Sequence, residues 1–544
     1  MKIFEPKLIN SLKGYSLKKF SSDLIAGIIV AIIALPLSIA LAIASGVAPE
    51  KGLYTAIVAG FVIALLGGSN VNISGPTAAF ATIVAGIVAQ FGTSGLVIAT
   101  IMAGIMLIIM GLLKFGTLIK YIPHTITTGF TSGIALTIVI GQIKDFLGLT
   151  FLEGTHAVET MEKLYAVAGS IFTLNPESLI VGIVGLVILI IWPKVNKRIP
   201  GSLIAVMVGV IIVKAFDLNV NTIGDLYAIS NAAPSFSLPQ FDFISIKQLI
   251  PSAFTIAILA AIESLLSCVV SDGMINDKHN SNTELIAQGA GNIFSGLFGG
   301  IPATGAIART AANVKNGGRT PVSGIVHAVV LLLILVVFMP YAAWIPMPII
   351  AAILFMVAYN MCEWREFVHI CKTAPKSDII VLILTFVLTV VFDLVVAIEF
   401  GMIVTAFLFI KRMTDVTKLR AWVEESSDND RLKTIPQNTQ VFEFDGPMFF
   451  ATSEIISSIS VSDTTKVVII RMRNIPSLDV SALESLVKVY NNLRDNDITV
   501  LFSHVNKQPL GVMKKSGFYD EVGDVCFMNN IDDALSFAEE IVNN

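Results

Sequence analysis

Runs of about twenty apolar residues recur along residues 21–412, and they constrain the fold more than any other feature of this sequence. The hydrocarbon core of a bilayer requires about 20 residues of α-helix to cross it. Charged residues are sparse in the same region: of the 76 Asp, Glu, Lys and Arg residues, 42 lie in residues 1–410 and 34 in the much shorter remainder. The sequence therefore predicts a polytopic membrane domain followed by a water-soluble part.

Twelve full spans and two short, interrupted segments give fourteen predicted membrane crossings. The loop charges support this number, because eleven Lys and Arg residues fall in loops on the side of the lysine-rich N-terminus and five in loops on the other side. An even number of crossings places both termini in the cytosol. The full spans are expected to begin near Asp23, Lys51, Gly95, Thr125, Ser178, Gly201, Leu249, Leu285, Val322, Ile345, Ile379 and Leu394.

The segment MKIFEPKLINSLKGYSLKKF carries five lysines, and no small-residue cleavage site follows the first apolar run. We therefore expect a retained cytoplasmic segment rather than a signal peptide. The predicted organisation is a cytoplasmic segment at 1–20, a membrane domain at 21–412 with repeats at about 21–216 and 247–412, a linker at 413–436 and a soluble domain at 437–544.

The two interrupted segments begin alike. GGSNVNISGPTAAFA starts at Gly67 and GGIPATGAIA at Gly299, so each has paired glycines, a proline and then small residues. They are the third and the tenth of the fourteen segments, hence the third helix of each seven-helix half. Because seven is odd, two such halves run in opposite directions, which predicts a 7+7 inverted repeat. Broken helices at matching places in two halves indicate a transporter's binding site near the bilayer midplane.

A half-helix that begins inside the membrane leaves its first N–H groups without carbonyl partners, and its dipole adds partial positive charge. Two such ends predict an anion site. Thr77 and Thr304 would donate hydroxyl groups, Gly305 and Ala306 would let the backbone approach the ligand, and Arg309 would add a full charge. Two alternatives stay open: the glycines serve helix packing, or Arg309 is the counter-ion of a structural carboxylate.

Glu263 is the only charged residue of the apolar run LIPSAFTIAILAAIESLLSCVV. A carboxylate at the centre of a membrane helix is costly and so is a candidate for function. Ser267 lies one helical turn further on the same face. The pair could take up a proton that travels with the anion or could ligate Na⁺. The alternative is a neutral glutamic acid bonded to a neighbouring backbone group.

From about Thr439, short β-rich runs alternate with helical patterns, which predicts an α/β domain with a mixed sheet. This part contains no Gly-rich phosphate loop and no plausible catalytic triad, so we expect no enzyme. Four cysteines lack metal-binding spacing, and no metal or cofactor site is predicted. The net charge of −4 gives no reason to expect a nucleic-acid partner.

The chain resembles the SulP anion transporters, the bacterial relatives of the animal SLC26 proteins, and its C-terminal part resembles their STAS domain. The motifs that carry the resemblance are SDLIAGIIVAIIALPLSIALAIASG, NISGPTAAFA, AAIESLLS and ARTAANVKNGGRTPVSG. The resemblance implies core and gate domains, as in uracil permeases, a homodimer and an elevator-like movement. It places the anion at Thr77, Thr304, Gly305, Ala306 and Arg309, and the acidic position at Glu263.

Two further positions carry implications from the resemblance. Sodium-coupled bicarbonate members have a hydroxyl on the tenth helix where this chain has Ile307, which argues against sodium coupling. Ser481, two residues after Asp479, matches the phosphorylatable hydroxyl of anti-sigma-type STAS relatives, where a cytosolic regulator could act. The alternative is that Ser481 only caps a helix.

The sequence therefore predicts a secondary active transporter of a small anion in the plasma membrane. Sulfate is the first expectation, with proton-coupled symport. Bicarbonate and C4-dicarboxylates are the alternatives within the family, and an uncoupled exchanger or channel is the alternative mechanism. Nucleobase transport on the same fold is disfavoured by Arg309 and the STAS-like part, and a receptor or enzyme by the lack of a catalytic constellation.

Overall fold

The computed structural model describes residues 4–117, 123–151, 157, 159–196, 199–239, 243–392, 394–422 and 434–543. The chain divides into two compact units, Met1–Met402 and Ile403–Asn544. Each unit has its own hydrophobic core. The sequence-predicted domain boundaries stay predictions.

The described residues of the first unit contain a helix at each of the fourteen predicted segments. Among the described residues, eight helical stretches are long and apolar enough to cross a membrane, and the helices at Gly201–Ala215, Ser281–Leu297, Ile307–Lys315 and Lys376–Val391 are shorter. The helices are α1 (Lys7–Ser11), α2 (Leu17–Ala44), α3 (Pro49–Leu66), α4 (Ala81–Leu112), α5 (His124–Leu147), α6 (Thr160–Gly169), α7 (Pro176–Val195), α8 (Gly201–Ala215), α9 (Ile223–Leu226), α10 (Phe243–Ile275), α11 (Ser281–Leu297), α12 (Ile307–Lys315), α13 (Val322–Ala342), α14 (Met347–Cys362), α15 (Trp364–Thr373), α16 (Lys376–Val391) and α17 (Leu394–Val416), the last of which continues into the second unit.

Helix α4 contains both the third and the fourth predicted segments. A kink at Gly92 divides it, where φ is 66° and ψ is −172°. Glycine adopts this left-handed backbone conformation without the steric cost that a side chain would bring. The third segment is therefore a half-helix that ends at this kink.

The helices of the first unit pack into two groups. The core group comprises α2, α3, α4, α10, α11, α12 and α13, and the gate group comprises α5, α7, α8, α14 and α16. Within the core group, α4 and α11 cross at a pair of glycines. A Cβ atom on Gly104 would lie 2.6 Å from the carbonyl oxygen of Gly289, and one on Gly289 would lie 2.5 Å from that of Gly104. Small residues at such crossings allow membrane helices to approach closely.

Asp23 anchors the start of α2 to the segment that precedes α13. Its carboxylate accepts hydrogen bonds from the Thr320 hydroxyl at 2.6 Å, the Arg319 amide at 2.8 Å and the Tyr15 hydroxyl at 2.8 Å. Burial and the hydrogen bond to Asp23 raise the pKa of Tyr15 to about 12, so this phenol remains a donor at neutral pH. The N-terminal segment is thus attached to the core group.

The second unit is built on a mixed five-stranded sheet whose spatial order is the chain order: β3 (Lys418–Ala421), β4 (Thr439–Asp445), β5 (Val467–Asn474), β6 (Thr499–Ser503) and β7 (Phe527–Met528). The β3–β4 pair is antiparallel and the other three pairs are parallel. This is the α/β arrangement that the alternating pattern predicts. The predicted linker at 413–436 contains one strand of this sheet, β3, so it is not a plain connection. The helices that accompany the sheet are α18 (Ser453–Ser457), α19 (Val480–Asp495), α20 (Lys507–Ser516), α21 (Phe518–Val522) and α22 (Ile531–Asn543).

Candidate anion site

The two interrupted segments meet at their amino ends. Two short strands, β1 (Ser74–Gly75) and β2 (Thr304–Gly305), pair antiparallel, with Ser74 opposite Gly305 and Gly75 opposite Thr304. A 3₁₀ turn at Ala78–Phe80 leads from β1 into α4, and α12 begins two residues after β2. The symmetric placement of these segments in the sequence therefore corresponds to a direct contact in space.

Neither amino end carries a side-chain cap. Thr77 precedes the 3₁₀ turn and Ala306 precedes α12, and neither position has a side-chain capping hydrogen bond among the described residues. The first N–H groups of a helix need partners from outside the helix. Uncapped ends of two facing half-helices suit a small anion, because both dipoles and both sets of donors point to the same place.

The N–H groups of Gly305 and Ala306 already have partners within the protein. The Gly305 amide donates to the Ser264 hydroxyl at 3.2 Å, and the Ala306 amide donates to the Ile73 carbonyl at 2.9 Å. The bond of Ala306 joins the two segments, and the bond of Gly305 attaches the second segment to α10. An anion at α12 would instead meet the amides of its first turn, from Ile307 to Arg309.

Two adjacent residues of α10 connect the half-helices. The Thr77 hydroxyl donates to the Glu263 carboxylate at 3.0 Å. The Ser264 hydroxyl shares a hydrogen bond of 2.7 Å with the hydroxyl of Thr304, which also donates to the Ala260 carbonyl at 3.0 Å. Thr77 and Glu263 are half-buried, whereas Ser264 and Thr304 are buried. Helix α10 thus fixes both amino ends and presents one carboxylate at their junction.

Arg309 is 1% exposed and reaches from α12 to the turn before the first half-helix. Its Nη2 donates to the Pro76 carbonyl at 3.1 Å. Its Nε and Nη1 have no hydrogen-bond partner, and no carboxylate forms an ion pair with it, in the described part of the chain. A buried guanidinium with unused donors is costly unless an anion is bound nearby. The counter-ion alternative therefore has no carboxylate partner among these residues.

Gly75 gives the guanidinium room. A Cβ atom at this position would lie 2.5 Å from Nη1 of Arg309. At Gly305, a Cβ atom would lie 2.7 Å from Nδ2 of Asn72 and 3.1 Å from Cα of Ser264. Both glycines of the ladder are thus required by close packing against polar groups of the site, which goes beyond ordinary helix packing.

Ser267 faces a buried polar network. Its hydroxyl donates to Oδ1 of Asn72 at 2.8 Å and to the Thr310 hydroxyl at 3.1 Å. Asn72 in turn donates to Glu284 at 2.8 Å, and the same carboxylate accepts from the Gly68 amide at 2.9 Å. The network holds the segment that leads into β1. Although Ser267 lies one turn from Glu263, these contacts assign its hydroxyl to the scaffold, and its coupling role stays a prediction.

Ser264, Asn72 and Glu284 are site residues that the sequence reasoning missed. Ser264 directly follows Glu263 in the sequence, so the position of its hydroxyl next to the candidate carboxylate was a signal that could have identified it. Glu284 is fully buried despite its charge, but it lies near the start of a helix, where an exposed acid is common. Nothing in the local sequence separates these two situations.

In the second unit, Ser481 is exposed on the first turn of α19. The N-cap is Asp479, whose carboxylate accepts from the Ala482 amide at 2.8 Å and from the Phe450 amide at 2.9 Å. The interpretation of Ser481 as a helix cap is therefore wrong: the acid two residues earlier satisfies the helix end. An exposed hydroxyl at this position is accessible for modification, and its phosphorylation stays a prediction.

Comparison with known proteins agrees with this architecture. Residues 20–385 match the sulfate permease family, and residues 431–535 match the STAS domain. YvdB of Bacillus subtilis, named as a provisional sulfate transporter, is 39% identical over 96% of this chain and 98% of its own length. The bicarbonate transporter BicA of a Picosynechococcus strain is 32% identical over 94% of both chains.

A solved structure matches the whole architecture. Murine Slc26a9, an anion transporter, superimposes with a TM-score of 0.88 over 98% of this chain and 94% of its own at 19% identity, which establishes the fold. The predicted fold class, an SLC26-like membrane domain with a C-terminal STAS domain, is confirmed. Taken with the family match over residues 20–385, these likenesses show that the chain belongs to the sulfate permease family of multi-pass anion transporters.

Proposed function

We propose that the protein is a secondary active transporter that binds a small oxyanion, sulfate first, between the amino ends of its two half-helices. The observation that carries the proposal is the buried guanidinium of Arg309, which has two unused donor atoms beside the β1–β2 ladder. A divalent tetrahedral anion would satisfy these donors together with the amides of the first turns. The hydroxyl of Thr77, which donates to the ionised Glu263, would turn to the anion once Glu263 is protonated and donates to it. The similarity to YvdB supports sulfate.

We further propose that a proton travels with the anion through Glu263. This carboxylate is half-buried at the junction of the half-helices and touches Thr77, so its charge state acts directly on the anion site. Repulsion between an ionised carboxylate and a nearby anion would make the protonated form the one that binds the anion. Such coupling would allow a proton gradient to drive accumulation.

The alternating access that transport requires would come from a movement of the core group relative to the gate group. All the side chains of the candidate site belong to the core group, since α4, α10 and α12 lie there. The bound anion would therefore move with that group, as in an elevator. The proposal also includes the plasma membrane as location, cytosolic N-terminal and STAS parts, and a homodimer whose STAS domain a cytosolic protein could regulate.

Purified protein in vesicles tests the substrate and the coupling. An inward proton gradient should drive accumulation of labelled sulfate above equilibrium, and a protonophore should abolish it. Uptake that is insensitive to both pH and Na⁺ would leave an exchanger or a channel. Competition by unlabelled sulfate, bicarbonate and succinate would identify the preferred anion.

Bicarbonate is the second candidate, because the BicA relatives are also more than 30% identical. In the competition experiment, displacement of the tracer by bicarbonate alone would favour it. The same vesicles with a sodium gradient would then test the expectation from Ile307 that sodium does not drive uptake.

A further inference from the structure

A cavity of about 370 Å³ lies between the core group and the gate group, and none of its lining residues belongs to the candidate anion site. Helices α2, α3 and α13 form its floor, and α8 forms the opposite wall. The floor is buried, with Ile39 1%, Leu53 0% and Met339 2% exposed. The lining is almost wholly apolar, so an ion or a polar metabolite does not suit it.

The rim of the cavity, unlike its floor, is exposed. Met207, Ile211 and Phe338 are 52%, 61% and 58% exposed, and these side chains lie on the apolar helices α8 and α13. In a bilayer they would meet lipid rather than water. The cavity is therefore a recess that extends from the lipid-facing surface to buried residues of the core group.

A cation, Lys214, lies beside this recess. The lining residues of α8 follow one helical stripe, Leu203, Val206, Met207, Val210 and Ile211, and Lys214 occupies the next position of the same stripe. Its Nζ lies 3.2 Å from the ring centroid of Trp344, a residue that lines the cavity. No ion pair involves Lys214 in the described part of the chain.

Aromatic residues accompany the cation. Trp344 packs edge-to-face against Tyr341 at 5.3 Å between ring centroids, and both rings line the recess. Trp, Tyr and Lys are the residues that membrane proteins place at the level of lipid headgroups. A recess with an apolar interior and a cation at its headgroup end matches a phospholipid in shape and charge.

We propose that this recess is a phospholipid site, with one acyl chain between α2, α13 and α8 and the lipid phosphate against Lys214. An occupant would lie between the two helix groups. If, as the proposed function requires, these groups move past each other, the lipid would oppose their closure at this end of the molecule. Binding itself does not depend on that proposal.

The fluorescence of Trp344 gives a direct test. The chain has four tryptophans, and the triple variant Trp192→Phe, Trp364→Phe and Trp422→Phe retains only Trp344. The purified full-length protein in detergent is titrated with phosphatidylglycerol that carries brominated acyl chains, because bromine quenches a nearby indole. We expect quenching that saturates at about one lipid per chain.

Two variants on α8 separate the recess from the general lipid surface. Val210→Phe fills the recess and should raise the half-saturation concentration at least about tenfold. Val208→Phe adds the same bulk to a neighbouring position of α8 that does not line the recess, and should leave the half-saturation concentration unchanged. Equal behaviour of these two variants, or quenching that rises without saturation, would overturn the proposal.

The exposed side chain of Lys214 allows a second test that does not disturb packing. One basic residue beside a lipid phosphate is worth about 1 kcal/mol, or about fivefold in affinity. Lys214→Gln should therefore weaken binding of the brominated phospholipid about fivefold and leave that of brominated diacylglycerol unchanged. An equal effect on both lipids, or on neither, would exclude the phosphate contact. If the protein forms dimers and the brominated lipid no longer quenches Trp344 in them, a second copy of the chain occupies the recess. That result would also contradict lipid occupancy.

Discussion

The hydroxyl of Thr77 donates a hydrogen bond to the carboxylate of Glu263 across 3.0 Å, which joins the first half-helix to α10. The next residue of α10, Ser264, contacts Thr304 on the other half-helix at 2.7 Å. One turn of one helix therefore contacts both parts of the candidate anion site. A change in the charge of Glu263 would act at the point where the two half-helices meet.

Glu263→Gln should abolish proton-driven accumulation while anion exchange survives. The amide keeps the size of the carboxyl group and still offers an oxygen to Thr77, but it cannot carry a proton. Uptake into vesicles with an imposed pH gradient measures coupling, and exchange of labelled for unlabelled anion at equal pH measures binding and translocation alone. Normal pH-driven uptake by this variant would remove Glu263 from the mechanism.

Thr77→Val should weaken anion binding about tenfold, because it removes a hydroxyl donor at an uncapped helix end and a hydrogen bond to a charged group is worth about 1.5–3 kcal/mol. The matched control is Thr127→Val, since Thr127 is half-buried like Thr77 and its hydroxyl donates to the His124 carbonyl of its own helix. Binding is measured by competition against a labelled anion. A similar loss in both variants would indicate a general effect of the substitution.

Gly75→Ala should lower anion affinity by roughly tenfold without preventing folding. The new methyl group would lie 2.5 Å from Nη1 of Arg309, and the long arginine side chain can move away, which displaces the charge. A tenfold loss corresponds to about 1.4 kcal/mol, which is less than the about 2–5 kcal/mol expected when a buried interacting charge is removed altogether. Gly86→Ala, on the same half-helix with open space around it, is the control and should bind normally.

Arg309→Gln should reduce anion affinity by at least about thirtyfold, since truncating a buried charge that faces an opposite charge costs about 2–5 kcal/mol. Arg309→Lys should retain part of the affinity, because it keeps the charge but loses the planar fork of donors. Anion-dependent increases in melting temperature measure both. Unchanged protection by sulfate in Arg309→Gln would show that the guanidinium has only a structural role.

The sequence could predict the parts of the site that contrast with their surroundings. Glu263 and Arg309 are charges in apolar segments, and the Gly/Pro breaks interrupt long helices at matching places in two halves. Each of these features has a cost in a membrane, so its presence points to a function. The same reasoning predicts the fourteen segments, because the bilayer fixes their length.

Contacts made across the fold could not be predicted in this way. The N–H groups of Gly305 and Ala306 are satisfied by Ser264 and Ile73, which lie far away in sequence. Ser267 lies on the expected face of α10, but the partner of its hydroxyl is set by the path of the segment before β1. The sequence pattern around an uncharged polar residue such as Asn72 does not distinguish an exposed loop from a buried hydrogen-bond network. Their roles depend on packing that pattern alone does not contain.

Glu284 offers a test of that buried network. Its carboxylate accepts hydrogen bonds from Gly68, Asn72 and Gln288, all at 2.8–2.9 Å, and is fully buried. Glu284→Ala leaves these donors without a partner, at about 1–3 kcal/mol each, and should lower the melting temperature of the detergent-solubilised protein substantially. Glu284→Gln keeps one acceptor oxygen, so its melting temperature should lie between those of the unmodified protein and Glu284→Ala. Glu484→Ala, on the exposed face of α19, should change the melting temperature little. A melting temperature of Glu284→Ala equal to that of Glu484→Ala would show that the network does not stabilise the segment before β1.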